Sequence, residues 1–434
     1  MKKFLSANLA VILVVAMGLT LIGCGNAGEA SGTATDKESV AIENSEEEIA
    51  EEVIDESEED SEDEQLSETE VNDNEASGSE VTDSEESDDM AETGVMNAHR
   101  AVEEMFFGMS IGNSLDAYNG TAGKLRNDGL GTENVWGNPS ITKEYVDAIK
   151  STGINVIRIP VTWYTHMDDS TYEIDPEWME RVAEVVDYAL DDNTFVILNV
   201  HHDTGTNGWL KASDNNLDWK KEVHQSIWSQ IAARFEGYSD HLLFEGHNEL
   251  LNDQDEWSNP DMRAIAIDDE LNQIFVDTIR ASGGNNAERV LLITPYAASA
   301  NSKMLRGLHI PEDSIEDGII VEIHAYTPYY FTAPEFLDNK TWDQKEVEDT
   351  LKLISTTYRI MDIPVIIGEF GATPKNNDDQ VIGWAQFYVS TCKQYGMKCC
   401  WWDNGITREY AIFDRKTGDC VKPELVNALL DAAR

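Results

Sequence analysis

His241-Leu242-Leu243-Phe244-Glu245-Gly246-His247-Asn248-Glu249 is the stretch on which the fold turns. It opens as a short apolar run, the pattern of a buried strand. At Gly246 it breaks and leaves a polar trio where such a strand would run out. An acid beside an amide at the end of a buried strand makes a poor core and a good way to hold a carboxyl over a cleft. A second stretch of the same design follows about 120 residues later, Pro364-Val365-Ile366-Ile367-Gly368-Glu369-Phe370-Gly371, where an apolar run again ends in a glutamate between glycines. Two carboxyls carried on the ends of two buried strands can face each other. That pair is what cleavage of a glycosidic bond requires.

Working outward, apolar runs alternate with helical patterns across residues 99–434, as repeated βα units on a parallel sheet do. Eight strands are expected: Phe106 to Ile111, Asn155 to Ile159, Phe195 to Val200, His241 to Phe244, Val290 to Thr294, Gly318 to Ile323, Pro364 to Gly368 and Met397 to Trp401. Helical stretches such as Thr142 to Ser151, Glu177 to Leu190 and Lys220 to Phe235 separate them. Eight alternating units is the count for a closed (β/α)8 TIM barrel, an α/β fold whose chemistry sits at the C-terminal rim of the strands. Polar residues collect at the corresponding ends: Asn113 and Asp116, Arg158, Asn199 with His201 and His202, Asn248 with Glu249, His324 with Tyr326, Glu369, and Trp401-Trp402-Asp403-Asn404.

The ordered set Gly108-Met109-Ser110-Ile111-Gly112-Asn113-Ser114-Leu115-Asp116-Ala117, Trp136-Gly137-Asn138-Pro139, Ile157-Arg158-Ile159-Pro160-Val161-Thr162-Trp163, Asn248-Glu249, His324-Ala325-Tyr326, Gly368-Glu369-Phe370-Gly371 and Trp402-Asp403-Asn404-Gly405 resembles the successive motifs of glycoside hydrolase family 5, in its bacterial endoglucanase branch. The resemblance runs over roughly residues 100–434. It implies a retaining (β/α)8 enzyme with Glu249 as acid/base and Glu369 as nucleophile. It further implies Asn248 as the amide on the sugar 2-hydroxyl, Arg158 and Tyr326 beside the nucleophile, and His201 and His324 as cleft histidines. Trp402 matches the sugar platform, with adjacent Trp401 leaving the assignment open by one position. Asn113 and His202 complete the expected substrate-binding set. The chain departs from the family pattern at His247 and at Leu250, which stands where a proline often follows the acid.

Other readings stand beside these. Glu245 and Glu322 lie within expected strands and read by period two as barrel-interior residues at other levels. Trp136, Trp209 and Trp257 serve equally as packing or as sugar subsites. His201, His202 and Asp203 are adjacent rather than spaced for one face, so no metal is expected; no cofactor fingerprint appears either.

The N-terminus has Lys2 and Lys3, then an uncharged run from Phe4 to Leu21, the build of a secretory signal peptide over residues 1–23. Leu21-Ile22-Gly23-Cys24 resembles a bacterial lipoprotein signal box and implies a lipid on Cys24. Residues 25–98 hold 28 acids against one lysine and no aromatic residue, too little apolar surface to offset the ordering entropy. A lipid-anchored, disordered linker is therefore expected over 24–98. The remaining 336 residues carry 55 acids and 28 bases. That balance argues against nucleic acid and suits a neutral polymer better than an acidic one such as pectin. Cys392, Cys399, Cys400 and Cys420 lack zinc spacing and read as buried thiols, with a disulfide from Cys392 or Cys420 left open. The whole points to a monomeric endo-β-1,4-glucanase at the cell surface, acting on β-glucan and reaching the membrane only through its lipid anchor. The alternatives are a xyloglucanase, mixed-linkage glucanase or mannanase of the same fold, or a non-catalytic carbohydrate-binding lipoprotein.

Overall fold

The computed structural model describes residues 96–120 and 123–434; the expected signal peptide, Cys24 and nearly all of the linker lie outside these residues. Eight parallel strands close into a barrel in chain order: β1 (Gly108–Ile111), β2 (Val156–Ile159), β3 (Phe195–Asn199), β4 (Leu242–Glu245), β5 (Leu291–Ile293), β6 (Ile319–His324), β7 (Val365–Phe370) and β8 (Lys398–Asp403). This is the (β/α)8 barrel expected. Four strands run further than the apolar pattern indicated: β4 ends on Glu245, β6 on His324, β7 on Phe370 and β8 on Asp403. Residues expected just past those strands are thus carried on the strands themselves.

Side chains alternate across each strand, and the alternation sorts the core into two bodies. Val156, Phe195, Ile197, Leu243, Leu292, Ile320, Ile366 and Cys400 form one cluster, the lumen of the barrel. Their immediate neighbours, Ile157, Val196, Leu242, Phe244, Val321 and Ile367 among them, pack in the other cluster against the helices. The lumen cluster continues into Met96, Ala98, Ala101, Val102 and Met105. These belong to the helix Ala98–Glu104 and its flanks, with Asn97 Oδ1 capping Arg100 N at 2.9 Å. This helix closes the end of the barrel where the strands begin, so Met96, Asn97 and Ala98, which composition groups with the linker, pack with the barrel.

The helices start where their caps dictate. Thr142 accepts from Tyr145 N at the head of Lys143–Lys150, and Asp175 caps Pro176–Ala189, whose proline occupies the first turn. The helix expected from Lys220 begins at Leu217. Among the described residues no helix is long and apolar enough to cross a membrane. The four cysteines described are free thiols, so neither Cys392 nor Cys420 is in a disulfide.

One irregularity matters for everything above the lumen. Ile323 pairs with Ile367 but His324 with Glu369, and on the other side Ile367 pairs with Cys399 but Phe370 with Trp401. Strand β7 therefore carries one extra residue at Gly368-Glu369. Strict alternation from lumen-facing Ile366 would turn Glu369 outward. The bulge instead keeps it on the lumen side and returns Phe370 to the helix-facing core.

Candidate active site

At the C-terminal end of the lumen the apolar layers give way to charge. Arg158 on β2 is fully buried and forks between two strands. Its Nε and Nη2 donate to Glu245 Oε2 and Oε1 at 2.6 and 2.7 Å, while Nη1 donates to Glu369 Oε1 at 2.7 Å. Nη2 also donates to Asn248 Oδ1 at 2.9 Å. With its carbonyl oxygen engaged, Asn248 keeps its amide NH2 to offer to a ligand. Asn199 Nδ2 adds a 2.8 Å bond to Glu245 Oε1. Glu245 is thus the counter-ion that fixes the guanidinium, an interior role in line with its parity.

Glu369 receives a second donor, the Tyr326 hydroxyl on Oε2 at 3.0 Å. Burial drives its carboxyl above the usual range; His324 and Arg158 oppose the rise, while Glu249 and Glu322 add to it. Glu249 has a side chain 26% exposed against 7% for Glu369, and its Oε1 sits 2.8 Å from His324 Nδ1. One carboxylate oxygen from each glutamate and one His324 nitrogen lie within 4.8 Å of one another. The second nitrogen of His324 faces Glu322 at 3.1 Å. Burial works against the His324 imidazolium, but Glu369, Glu322 and Glu249 outweigh it and raise the pKa well above normal. His201 is the opposite case. Burial, reinforced by His202, Arg158 and His324, holds it well below its normal pKa and hence neutral.

The backbone beyond Glu249 is tied down by Gly205 N donating to Glu249 O at 2.9 Å and Ala297 N to Leu250 O at 3.1 Å. The two departures from the family pattern have places in this loop. Leu250 is fully buried, and His247 turns from the cleft to Asp268 Oδ1 at 3.0 Å.

Parity also separates the adjacent tryptophans. Trp401 faces outward and is packed against Phe370 and Trp384. Trp402, half-buried, faces the cleft and stacks on His201, with ring centroids 5.7 Å apart and planes within 10°. A Cβ on Gly112 would lie 2.3 Å from Trp402 Cη2, so only glycine lets the indole lie across β1. Next along, His202 Nε2 lies 3.4 Å from Asp116 Oδ2, with Tyr118 and Trp136 against its ring. Asn113 adopts φ 58° and is buried, its side-chain oxygen without a hydrogen-bond partner among the described residues. Trp209 is not a subsite: its indole donates to Asp203 Oδ1 at 2.7 Å and it is 5% exposed. Donor atoms of Asp116, His201 and His202 lie close enough to hold an ion, as do those of Glu249, His324 and Glu369. Sequence reasoning gave Asn199 no role beyond a strand end, and its pairing with Glu245 leaves no local signal; the contact between Glu322 and His324 was also missed, although their spacing of two on one strand puts both on one face.

The profile of the cellulase family (glycosyl hydrolase family 5) matches residues 117–408. The chain belongs to glycoside hydrolase family 5. Endoglucanase A of Ruminococcus albus is 40% identical over 363 residues, spanning 80% of this chain and 96% of that protein. Among solved structures, a GH5-4 broad specificity endoglucanase from Ruminococcus champanellensis with bound cellotriose superposes with a TM-score of 0.73 at 35% identity. It covers 78% of this chain and 99% of its own. A family 5 lichenase from Caldicellulosiruptor sp. F32, in complex with cellotetraose, gives 0.72 at 34% identity over 79% and 97%. This family 5 enzyme is a glycoside hydrolase of the endoglucanase kind, and the cleft just described is its candidate active site.

Proposed function

We propose that this protein is a retaining endo-β-1,4-glucanase in which Glu369 is the nucleophile and Glu249 the acid/base. The observation that carries the assignment is the unequal setting of two close carboxyls. Glu369 is clamped by two donors, Arg158 and Tyr326, which favour the ionised form. Glu249 is the more exposed and lies nearer His324, at 2.8 Å against 3.6 Å for Glu369. A separation of about 5 to 5.5 Å between carboxyl groups marks the retaining mechanism, because no water fits between the nucleophile and the sugar.

In the first step Glu369 attacks the anomeric carbon, and the bond to the leaving oxygen breaks as Glu249 gives that oxygen its proton. The glycosyl ester has no charge on Glu369, so Glu249, now a carboxylate, takes a proton from the incoming water. That water attacks the same carbon and releases Glu369 as a carboxylate. The free NH2 of Asn248 donates to the sugar 2-hydroxyl, a contact that tightens as positive charge develops on the ring. Trp402 gives a flat sugar face a surface to stack on, and Asn113, His201, His202, His324 and Tyr326 line the same cleft.

The substrate reading is broad: related structures are named for broad specificity, for lichenase activity and for xyloglucan-specific endo-β-1,4-glucanase activity, which keeps xyloglucan and mixed-linkage glucan beside cellulose. The sequence of residues 1–98 supports an enzyme held at the cell surface through lipid on Cys24. The test is product size. Soluble carboxymethylcellulose, barley glucan and xyloglucan, digested and separated by chromatography, should shorten through internal cuts while pectin stays intact. Release of monosaccharide alone from chain ends would overturn the endo assignment.

A further inference from the structure

Glu322 has no part in the mechanism above, and its setting is unusual. It lies on β6 two residues before His324, on the same lumen face, and is fully buried. Oε1 approaches His324 Nε2 to 3.1 Å, off the ideal hydrogen-bond line, and neither Glu322 oxygen has a hydrogen-bond partner among the described residues. Space for it comes from Gly368: a Cβ there would stand 1.4 Å from Glu322 Oε1. The bulged strand thus lacks a side chain at the one point where this carboxyl sits.

The charges around the pair leave few roles open. Arg158 of β2 is committed to Glu245 and Glu369. Glu369 of β7 and Glu249 beyond β4 both face Nδ1 of His324, at 3.6 and 2.8 Å. His201 beyond β3 is neutral, and the Tyr326 hydroxyl donates to Glu369. His247 and the Cys400 thiol are the remaining titratable groups that feel Glu322, and His247 is held by Asp268. Among the described residues only His324 makes an ion-pair contact with Glu322. An ionised carboxylate buried this far needs a proton facing it.

We propose that Glu322 is a positioning residue that fixes a proton on Nε2 of His324, so that Nδ1 is the nitrogen sharing the acid/base proton with Glu249. This rests on the assignment of Glu249 as acid/base. A neutral imidazole carries one N–H, and without Glu322 that hydrogen could sit on either nitrogen. With Nε2 occupied, one proton moves between two places only. It is on Nδ1, giving imidazolium beside a Glu249 carboxylate, or on Glu249, giving neutral His324 beside a carboxylic acid. Transfer from Nδ1 to Glu249 readies the acid for the leaving oxygen, and the hydrolytic water returns a proton in the second step.

The test is Glu322→Gln, which keeps shape and an acceptor oxygen but removes the charge. The shared proton is then held less firmly and leaves at lower pH. The alkaline limb of kcat/KM on a cello-oligosaccharide should therefore move down by about one pH unit. With an activated aryl glycoside, whose leaving group needs no proton, the displacement should largely vanish. A uniform loss at all pH values, with the limb unmoved, would mean that Glu322 only supports packing and would overturn the proposal. Nitrogen-15 spectra of the wild-type protein give a second readout that survives a variant failing to fold: Nε2 of His324 should carry its proton at neutral pH, and an unprotonated Nε2 refutes the idea. The functional reading is checked separately by turnover of β-glucan and its loss in Glu249→Ala and Glu369→Ala. A wild-type protein without turnover removes that reading, whatever the state of Nε2.

Discussion

The two ends of the barrel lumen are built from opposite materials. Where the strands begin, Met96, Ala98, Ala101, Val102 and Met105 seal the opening against Val156, Phe195 and Leu243, with no charged side chain in the cluster. Where they end, Arg158, Glu245, Glu322 and Glu369 are buried two or three positions beyond Val156, Leu243, Ile320 and Ile366, the apolar lumen residues of their own strands. The apolar end gains stability from area removed from water. The charged end offers little of that, because desolvating ions offsets most of their attraction. Its value is geometric: each ion fixes another, and Arg158 spans from Glu245 to Glu369 across the lumen. The seal sets stability alone; the charged layer sets chemistry, and removing one of its ions leaves another buried without a partner.

The strongest attack on that contrast separates the two glutamates. Glu369→Ala should lower kcat by on the order of 10⁴ to 10⁶, and azide entering the vacancy should give the inverted α-glycosyl azide from an activated β-glycoside. Glu249→Ala should cost about 10² to 10⁴ on substrates with poor leaving groups. On an activated aryl glycoside the glycosyl ester still forms, and azide intercepts it with net retention as the β-azide. The reverse pattern of products would exchange the two roles. Wild-type-like activity in either variant would sink the two-carboxylate mechanism and redirect attention to Glu245 and Glu322.

A paired substitution, one at each end, sharpens the comparison next. Arg158→Met leaves Glu245 and Glu369 buried without their cation, a loss of about 3 to 5 kcal/mol. Met105→Ala opens a cavity in the seal and costs about 2 to 5 kcal/mol. Thermal melts should therefore show similar losses for the two. Their kinetics should diverge: Met105→Ala keeps kcat below its melting range, and Arg158→Met loses it. Equal activity in both would mean that Arg158 supports structure alone.

How far the sequence carries depends on which of these features is local. Strand number and order follow from apolar runs with the right spacing, and the polar residues at their ends follow with them. Once strand register is known, parity distinguishes Trp401 from Trp402, because alternate residues face opposite sides. The orientation of Glu369 does not follow, since parity alone turns it outward and the extra residue in β7 shows only in the pairing with β6 and β8. Nor does the Arg158–Glu245 pair, whose members are 87 residues apart; Arg158 beside Glu369 follows only from the family resemblance, since nothing near either residue names the other across 211 positions. The clearance at Gly368 is of the same kind. Read along the chain it is a glycine beside a glutamate, and only the fold brings Glu322 into the space a Cβ would fill.

The smallest effect is expected at the boundary of the seal. Acidic composition continues to Glu92, and the apolar contacts of the barrel begin at Met96, which is 3% exposed. Asn97 caps the helix Ala98–Glu104, and Ala98 N donates to Asp317 O at 2.7 Å, tying the helix to the loop that enters β6. A chain beginning at Met96 keeps every one of these contacts. A start at residue 99, where composition alone puts the boundary, removes Met96, the cap and the Ala98 bond together. The longer chain should match the full protein in kcat/KM on a soluble glucan to within about twofold, the scatter of changes made away from packed or functional sites. Starting at residue 99 should lower the melting temperature while leaving kcat at low temperature unchanged, because Met96, Asn97 and Ala98 pack at the opposite end of the barrel from the charged layer. A folded Met96 start with far lower turnover on soluble substrate would mean that residues 1–95 take part in the chemistry, and the division between a sealing end and a reacting end would then miss part of the enzyme.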